Sequence, residues 1–256
     1  MAINMNHIFI GGNVSSAPRK STTKNGKEYF TFMVASNRGK DKNGKDAADF
    51  IPIRVSGAMS PFMEQNITVG APIMLNGDLE NRSYESDGKS KRYFTVNARD
   101  IIPGTGSNVN LVYLMGNVTR DPELRQSADG TSVTTLAIAV NRSYRDANNE
   151  WKTVASYFDI TCWDKQAEFV CQHFHKSSPV TVIGSIRSRS YKDKTTGENR
   201  TSYEIAARDI RFVNKRKDGA DANGNASAPA PAAQQNSYSV PEEDFAMIED
   251  DGDIPF

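Results

Sequence analysis

The stretch NHIFIGGNVSSAP, residues 6–18, returns without gaps as NLVYLMGNVTRDP, residues 110–122. The same spacing holds as far as the dipeptide NR, at 37–38 and again at 141–142. Further along, the segments RSY and ARDI each occur in both halves of the chain. A repeat of about 100 residues is a common domain size and is far too long for a solenoid. The sequence therefore predicts two homologous domains.

The composition of the chain places the boundaries of these domains. We predict a first domain at residues 1–104, a short linker at 105–109 and a second domain at 110–215. Residues 216–249 are rich in Gly, Asn, Ala, Ser, Pro and Gln and have few apolar side chains. Such a segment cannot bury enough surface to offset the entropy of ordering, so we predict a disordered spacer. Residues 250–256 form an acidic tip that ends in Ile-Pro-Phe.

The pattern within each repeat indicates short strands and one helix. Residues 29–35, 133–140 and 180–186 are β-branched and aromatic runs typical of strands. Residues 164–175 contain no Gly or Pro and predict a helix between strands. Five strands with one helix before the fourth is the order of an OB-fold, a small Greek-key barrel that often binds oligonucleotides. The predicted fold class is all-β with one short helix per domain, as two tandem OB-fold barrels followed by a disordered acidic C-terminal tail.

Charge is distributed unevenly along the chain. The sequence has 31 basic and 31 acidic side chains, but nine of the acids and none of the bases follow Lys217. Residues 1–217 therefore carry 31 basic and 22 acidic side chains, a net charge of +9. A basic body with an acidic tail predicts a polyanionic partner for the body and a separate role for the tail.

Several classes of function are disfavoured by the sequence. The two cysteines, Cys162 and Cys171, imply no disulfide framework, and we expect a soluble cytoplasmic protein because no segment is apolar for long enough to cross a membrane. The spacing C-x8-C-x-H-x-H, which ends at His173 and His175, fits no usual zinc pattern. No nucleophile motif, phosphate loop or dinucleotide fingerprint occurs, so we expect neither an enzyme nor a cofactor.

Alternation along the segment YFDITCW separates binding residues from core residues. Side chains on a strand point to opposite faces in turn, which places Phe158, Ile160 and Cys162 in the core. The opposite face is polar but carries Tyr157 and Trp163 at its two ends. Large aromatic rings on a wet strand face are suited to stacking unpaired bases of any sequence.

Basic residues recur with an aromatic residue on the next predicted strand. In the segment IRSRSY, Arg187, Arg189 and Tyr191 share one face. Cations spaced along a strand can follow phosphates while the tyrosine ring stacks on a base. The first domain repeats this pattern with Arg82 and Tyr84.

The segment FIPIRVS of the first domain aligns with YFDITCW, although the first domain has fewer aromatic residues on its candidate surface. Its predicted core residues are Ile51, Ile53 and Val55, and its predicted outward residues are Phe50, Pro52, Arg54 and Ser56. The candidates for stacking on bases in the whole chain are Tyr144, Trp151, Tyr157, Trp163, Tyr191, Phe50 and Tyr84. The candidates for contacts with phosphates are Arg142, Arg145, Arg187, Arg189, Lys192, Arg38, Arg54 and Arg82.

With these motifs in place, the chain resembles a bacterial single-stranded DNA-binding protein of the kind that has two OB-folds. The shared features are GNV-x-x-x-P near the start of each repeat, the aromatic third strand and the RSY segment. By resemblance, Tyr144, Tyr157, Trp163 and Tyr191 stand where the family places its base-stacking aromatics. The acidic C-terminal tip also resembles that of the family, with Gly252 in place of one acid.

The resemblance implies a function without catalysis or sequence preference. Such a protein coats transient single strands during replication, repair and recombination, in the cytoplasm at the nucleoid. Relatives with two OB-folds pair as homodimers that offer four OB-folds, which implies the same assembly here. In the family, the tip is a docking peptide for DNA-maintenance enzymes. The residues that this implication assigns to partner docking are Asp250, Asp251, Asp253, Ile254, Pro255 and Phe256.

Three alternatives are consistent with parts of the pattern. An RNA-binding OB protein of cold-shock type would use the same stacking and phosphate contacts, since 2′-hydroxyl contacts are what separate RNA from DNA. An OB-fold protein–protein adaptor would have lost nucleic-acid binding. A nuclease is a more remote third alternative. In addition, aromatic residues in strands are often core residues, and exposed charges often only solvate a surface.

Overall fold

The computed structural model describes most of the two predicted domains. The described residues are 4–23, 26–40, 44–86, 89–104, 107–145, 149–192, 197 and 199–213. For residues 82–86, 89–93 and 144–145 the description covers the backbone alone. The predicted spacer and tip lie outside the described residues, as does the first part of the predicted linker.

Each half of the chain folds into strands and one α-helix in the same order. The first half consists of β1 (Met5–Val14), β2 (Arg19–Thr22), β3 (Glu28–Lys40), β4 (Asp46–Ser56), a 3-10 turn (Gly57–Met59), α1 (Ser60–Asn66), β5 (Pro72–Ser86) and β6 (Lys89–Pro103). The second half consists of β7 (Asn110–Val118), β8 (Arg125–Gln126), β9 (Ser132–Arg145), β10 (Trp151–Trp163), α2 (Asp164–His173), β11 (Pro179–Lys192) and β12 (Asn199–Phe212). The predicted helix is confirmed, although it ends at His173. Strands β2 and β8 are short additions that the sequence pattern did not predict.

The main strands of each half close into a five-stranded barrel. In the first half, β1 pairs with both β3 and β5, and β4 pairs in parallel with β6 to complete the ring. In the second half, β7 pairs with both β9 and β11, and β10 pairs in parallel with β12. This is the predicted OB-fold arrangement. The apolar residues of each strand alternate inward to fill the two barrels.

The repeated Gly-Asn dipeptide marks the point where each barrel closes. A Cβ atom on Gly12 would collide with the carbonyl oxygen of Ala35, and one on Gly116 would collide with that of Ala139. At these points β1 and β7 change partners to reach the opposite edge of the barrel. Glycine is therefore required in both repeats, because the backbones approach too closely for any side chain.

The two barrels are joined edge to edge through their first strands. β1 pairs antiparallel with β7, and Ile8 lies opposite Val112 at the centre of the ladder. These two residues occupy equivalent positions in the two repeats. The barrels are therefore related by an approximate two-fold axis at this pair. The pairing connects the twelve strands found in the described residues into one sheet.

The first asparagine of each repeated segment uses its side chain to hydrogen-bond to the backbone of another strand in its own barrel. The side chain of Asn6 donates to the carbonyl of Leu79 at 2.7 Å and accepts from its amide at 2.9 Å. Asn110 makes the same pair of hydrogen bonds to Ile186, at 2.7 and 2.8 Å. The amide group thus replaces a backbone peptide where β1 and β7 turn from their own barrel towards each other.

Candidate nucleic-acid interface

Strand β10 carries the main aromatic surface of the second domain. Phe158, Ile160 and Cys162 are at most 2% exposed, whereas Tyr157 is 62% and Trp163 is 43% exposed. The predicted division into core and outer faces is therefore confirmed. Six residues of strand separate the two rings by about 20 Å, so each ring can stack on a different base.

The hairpin of β9 and β10 extends this surface beyond the barrel. Trp151 is 62% exposed and lies opposite Arg145 in the ladder. Arg142 is exposed and lies opposite Val154 in the ladder. Val154 is three residues from Trp151, so alternation places Arg142 and Val154 on the opposite face of the hairpin from Trp151. The side chains of Tyr144 and Arg145 lie outside the described residues, so their roles stay predictions.

Strand β11 presents the predicted basic surface. Arg189, Tyr191 and Lys192 are exposed, and the ring of Tyr191 is 46% exposed. Alternation places Arg189 and Tyr191 on the outer face, while Lys192 alternates to the other side. Arg187, also on the outer face, is half-buried because it turns towards the first domain.

The outer face of the first domain differs from the prediction at one residue. Phe50 is 48% exposed, as expected, but Arg54 is only 7% exposed. The guanidinium carbon of Arg54 lies 4.3 Å from the ring centre of Tyr29, and its Nη2 atom has no hydrogen-bond partner. The long side chain folds over the ring of the neighbouring strand, where a cation–π contact holds it. The expectation that Arg54 faces solvent is thereby corrected, and a buried guanidinium does not support the predicted contact with phosphate.

The other predicted residues of the first domain are only partly described. Arg82 and Tyr84 lie in β5, but their side chains are outside the described residues. Arg38 is half-exposed and donates to Asp49, as described next. Phe50 is therefore the described aromatic candidate on the outer face of this domain.

A buried carboxylate joins the two domains. Asp49 is fully buried and accepts hydrogen bonds from Arg38 Nη1 at 3.0 Å, Arg187 Nη1 at 3.4 Å and the backbone amide of Ser188 at 3.0 Å. The last two donors belong to the second domain. Sequence reasoning missed this residue, although Asp49 has the same alternation as the core residue Ile51. A charged residue at an inward-facing position was the available signal.

The contacts on the two sides of the two-fold axis are equivalent but not identical. We call them the first and second seams. At the first seam, the backbone amide of Phe50 donates to Ser188 Oγ at 2.8 Å. At the second seam, Asn81 Nδ2 donates to the carbonyl of Tyr157 at 2.9 Å. Both outer-strand aromatics therefore have their backbones fixed by the opposite domain.

An aromatic pair further ties the domains together. The rings of Phe94 and Tyr203, which occupy equivalent positions in the repeats, stack with centres 5.0 Å apart and planes 3° from parallel. Burial raises the pKa of the Tyr203 hydroxyl above its usual value. The two outer faces are consequently held in a fixed relation, and neither ring was among the predicted site residues.

The cysteine and histidine residues near α2 do not form a metal-binding set in the described part of the chain. Within it, no group of three or more His, Cys, Asp or Glu side chains could hold a metal ion. Burial raises the pKa of the Cys162 thiol to about 12, and the thiol of Cys171 adds to this shift.

Among the described residues, no helix has the length and apolar character needed to span a membrane.

Two closed five-stranded barrels with exposed aromatic and cationic strand faces define a tandem OB-fold protein. The model of the single-strand binding protein family matches residues 5–102 and 109–213. The chain therefore belongs to the single-strand binding protein family. The two matched segments each contain one barrel.

Comparison with known proteins finds relatives that match part or all of the chain. The chain is 28% identical to the single-stranded DNA-binding protein of Deinococcus radiodurans over 94% of this chain and 86% of the relative. It is also 28% identical to that of Thermus aquaticus over the full length of both. The second single-stranded DNA-binding protein of Chlorobaculum tepidum is 43% identical over 43% of this chain and 74% of its own.

Solved structures show the same architecture. A deletion mutant of the Thermus aquaticus single-stranded DNA-binding protein superposes with a TM-score of 0.66 at 25% identity, over 84% of this chain and 98% of that one. The wild-type protein superposes with a TM-score of 0.68 at 24% identity, over 86% and 98%.

Proposed function

We propose that this protein binds single-stranded DNA without sequence preference and protects it during replication, repair and recombination. The observation that carries the proposal is the exposure of Tyr157 and Trp163 on β10, together with that of Arg189 and Tyr191 on β11 of the same barrel. Each ring offers one apolar face to a base, whatever its identity, while arginine pairs with phosphate. The relatives named above are single-stranded DNA-binding proteins.

The geometry favours single strands over duplexes. In a duplex the bases are stacked on one another and cannot reach the rings exposed on a strand surface. An unpaired base can rotate onto Trp163 or Tyr157 and gain the stacking energy. The basic body of net charge +9 adds attraction to phosphates that weakens as salt rises.

A fluorescence titration tests the proposal. Trp151 and Trp163 are both exposed, so base stacking should quench their emission. We expect saturable quenching by oligo-dT, with an affinity that falls as the salt concentration increases. Equal binding of a duplex of the same length would contradict the proposal. Equal or tighter binding of a matched RNA would instead favour the cold-shock alternative.

We further propose that the protein is not an enzyme. Its contribution is to cover the strand, and the family to which it belongs is one of DNA-binding proteins. Incubation with end-labelled single strands and Mg²⁺ or Mn²⁺ should leave the strands intact. Cleavage by the purified protein, reduced in a Tyr157→Ala variant that binds the strand more weakly, would support the nuclease alternative.

We also propose a homodimer that offers four OB-folds, supported by an apolar face on β1 and β7. Met5 is 36% and Phe9 is 41% exposed, on the side of β1 that faces away from the core. Their partners in the ladder are Met115 and Leu111. Because this patch surrounds the approximate two-fold axis, a second copy can cover it with its own identical patch.

Sedimentation at micromolar concentration tests this assembly. We expect a dimer, and we expect Phe9→Asp to convert it to a monomer because a carboxylate would be buried at the contact. Leu124→Asp is a matched control, since Leu124 is 49% exposed between β7 and β8, outside the β1–β7 ladder. A monomeric parent protein, or equal effects of the two substitutions, would contradict the proposed interface.

The C-terminal tip is proposed to recruit partner enzymes. It lies outside the described residues, and the support comes from the sequence: Phe256 and Ile254 can fill an apolar pocket while the acids meet a basic rim. A pull-down from cell extract with DNA-loaded protein should capture fewer proteins when Phe256 is changed to Ala. An unchanged set of captured proteins would mean that the tail only aids solubility.

The proposed location is the cytoplasm, at the nucleoid. The support is the proposed affinity for single-stranded DNA together with the basic charge of residues 1–217. A fluorescently tagged protein should overlap with stained DNA and gather into foci after DNA damage. A uniform signal that damage does not alter would contradict nucleoid association.

A further inference from the structure

The two seams occupy equivalent positions about the two-fold axis but carry different charges. The first seam has Asp49 between Arg38 and Arg187. At the second seam, Ser156 occupies the position of Asp49 and Glu80 that of Arg187. Glu80 accepts a hydrogen bond from Asn97 of its own domain at 2.9 Å. The first seam therefore brings two guanidinium groups from different domains together at one carboxylate.

The carboxylate of Asp49 is buried away from solvent, whereas the side chains of Arg38 and Arg187 are partly exposed. Its side chain is 1% exposed, whereas that of Arg38 is 40% and that of Arg187 is 34% exposed. Arg38 donates to Oδ1 and Arg187 to Oδ2. A guanidinium has five N–H donors, and the contact with Asp49 uses one from each arginine. The cluster keeps a formal charge of +1 on its exposed side.

We propose that Arg38, Asp49 and Arg187 form a phosphate site shared by both domains, at which a bound single strand passes from one domain to the other. The proposal rests on the single-stranded DNA binding proposed above. Asp49 acts as a positioning residue: it offsets the repulsion between the arginines and fixes where they lie, without touching DNA. Phe50, next in the chain and 48% exposed, offers a ring for the adjoining base.

A shared site differs from two independent contacts in how the arginines depend on each other. If one phosphate needs both guanidinium groups, loss of either removes most of the contact, and loss of the second adds little. If each arginine contacts its own phosphate, the fold-losses in DNA affinity of the two single variants multiply in the double variant. A double-mutant cycle separates these cases because the coupling is large only for groups that share a partner.

The experiment measures the affinity of Arg38→Gln, Arg187→Gln and the double variant for two lengths of oligo-dT. One strand of about 10 nucleotides fits a single OB-fold, and one of about 35 nucleotides extends over both domains. With the long strand, we expect each single variant to lose roughly tenfold in affinity and the double variant to lose no more than about twofold beyond that. With the short strand, we expect Arg38→Gln to have no effect when the strand occupies the second domain.

A matched control uses the residue equivalent to Arg38 at the second seam. Arg142→Gln combined with Arg187→Gln should show multiplied losses, because these arginines are at different seams. Multiplied losses for Arg38 and Arg187 on the long strand would overturn the shared site. Equal coupling on the short strand would also overturn it, since the coupling would then arise from the common carboxylate alone.

Asp49→Asn provides an independent measurement. The amide keeps an oxygen for the backbone of Ser188 but loses the negative charge. Removing an acid from a DNA-binding surface should strengthen binding if charge alone matters. We expect weaker binding of the long strand instead, with loss of the coupling between the two arginines. Stronger binding would overturn the positioning role of Asp49.

Folding and function are controlled separately. Melting curves verify that each variant is folded. Arg38→Lys and Arg187→Lys keep the positive charge but lose the planar guanidinium group. We therefore expect these variants to lose part of the coupling between the two positions. The parent protein tests the proposed function by itself. If it fails to bind either strand, single-stranded DNA binding is wrong; if it binds and the losses multiply, the shared phosphate site alone is wrong.

Discussion

The two domains have nearly the same interior but different outer faces. Position 157 is Tyr in the second domain and its equivalent in the first is Phe50, but Trp163 is replaced by Ser56 and Thr161 by Arg54. Thr161 donates to Glu204 at 3.0 Å, whereas Arg54 lies over Tyr29. Packing restricts most interior positions to apolar side chains that together fill the barrel, while outer positions are free to diverge. The comparison predicts shared requirements for stability and unequal shares of DNA binding.

The largest expected effect concerns the cores, where the domains should behave alike. Phe158→Ala in the second domain and Ile51→Ala in the first both remove side chains that are at most 2% exposed. We expect losses of about 3–5 and 2–5 kcal/mol in the free energy of unfolding, because each leaves a cavity. Denaturant titration measures both. A negligible loss for either one would show that its barrel is loosely packed.

The next effect concerns the outer faces, where the domains should differ. Trp163→Ala should weaken single-strand binding by about 1–3 kcal/mol with little change in melting temperature, because the ring is exposed. The equivalent substitution Ser56→Ala should leave binding unchanged. Fluorescence anisotropy with labelled oligo-dT measures both. If Trp163→Ala lowered the melting temperature as much as Phe158→Ala, the assignment of faces would be refuted.

A smaller effect is expected from the basic strand of the second domain. Arg189→Gln should reduce the slope of log affinity against log salt by about 1, because one phosphate contact is lost. The affinity of the Arg189→Gln variant for different homopolymers should fall by a similar factor, since a phosphate contact carries no sequence information. Binding at four salt concentrations measures the slope. An unchanged slope would mean that Arg189 only solvates the surface.

The smallest effect is expected at Arg54. Its substitution tests whether this arginine stays buried or contacts DNA. Arg54→Met keeps much of the side-chain volume and should leave DNA binding and its salt dependence unchanged. Stability should change by less than about 1.5 kcal/mol, since an apolar side chain of similar volume often replaces a buried charge without loss. A loss of DNA affinity would show that the arginine leaves Tyr29 to bind the strand.

Much of this molecule could be predicted from its sequence because the repeat and strand alternation are local signals. Alternation placed Phe158 in the core and Tyr157 outside, and the duplicated motif placed two barrels. Alternation gives only the direction of a side chain, so it could not foresee that Arg54 would fold over a ring on a neighbouring strand. The role of Asp49 depends on residues 138 and 139 positions away, and distant contacts of that kind leave no local pattern.

The ladder between β1 and β7 has a thermodynamic consequence. β1 is hydrogen-bonded on one edge to β5 of its own barrel and on the other to β7 of the second. Opening the first barrel would therefore expose the unpaired edge of the second, so neither can melt without a cost to the other. We expect a single calorimetric transition for both barrels, with calorimetric and van't Hoff enthalpies in agreement. The amides of β1 should be among the last to exchange with deuterated water, because they release only when the whole protein unfolds.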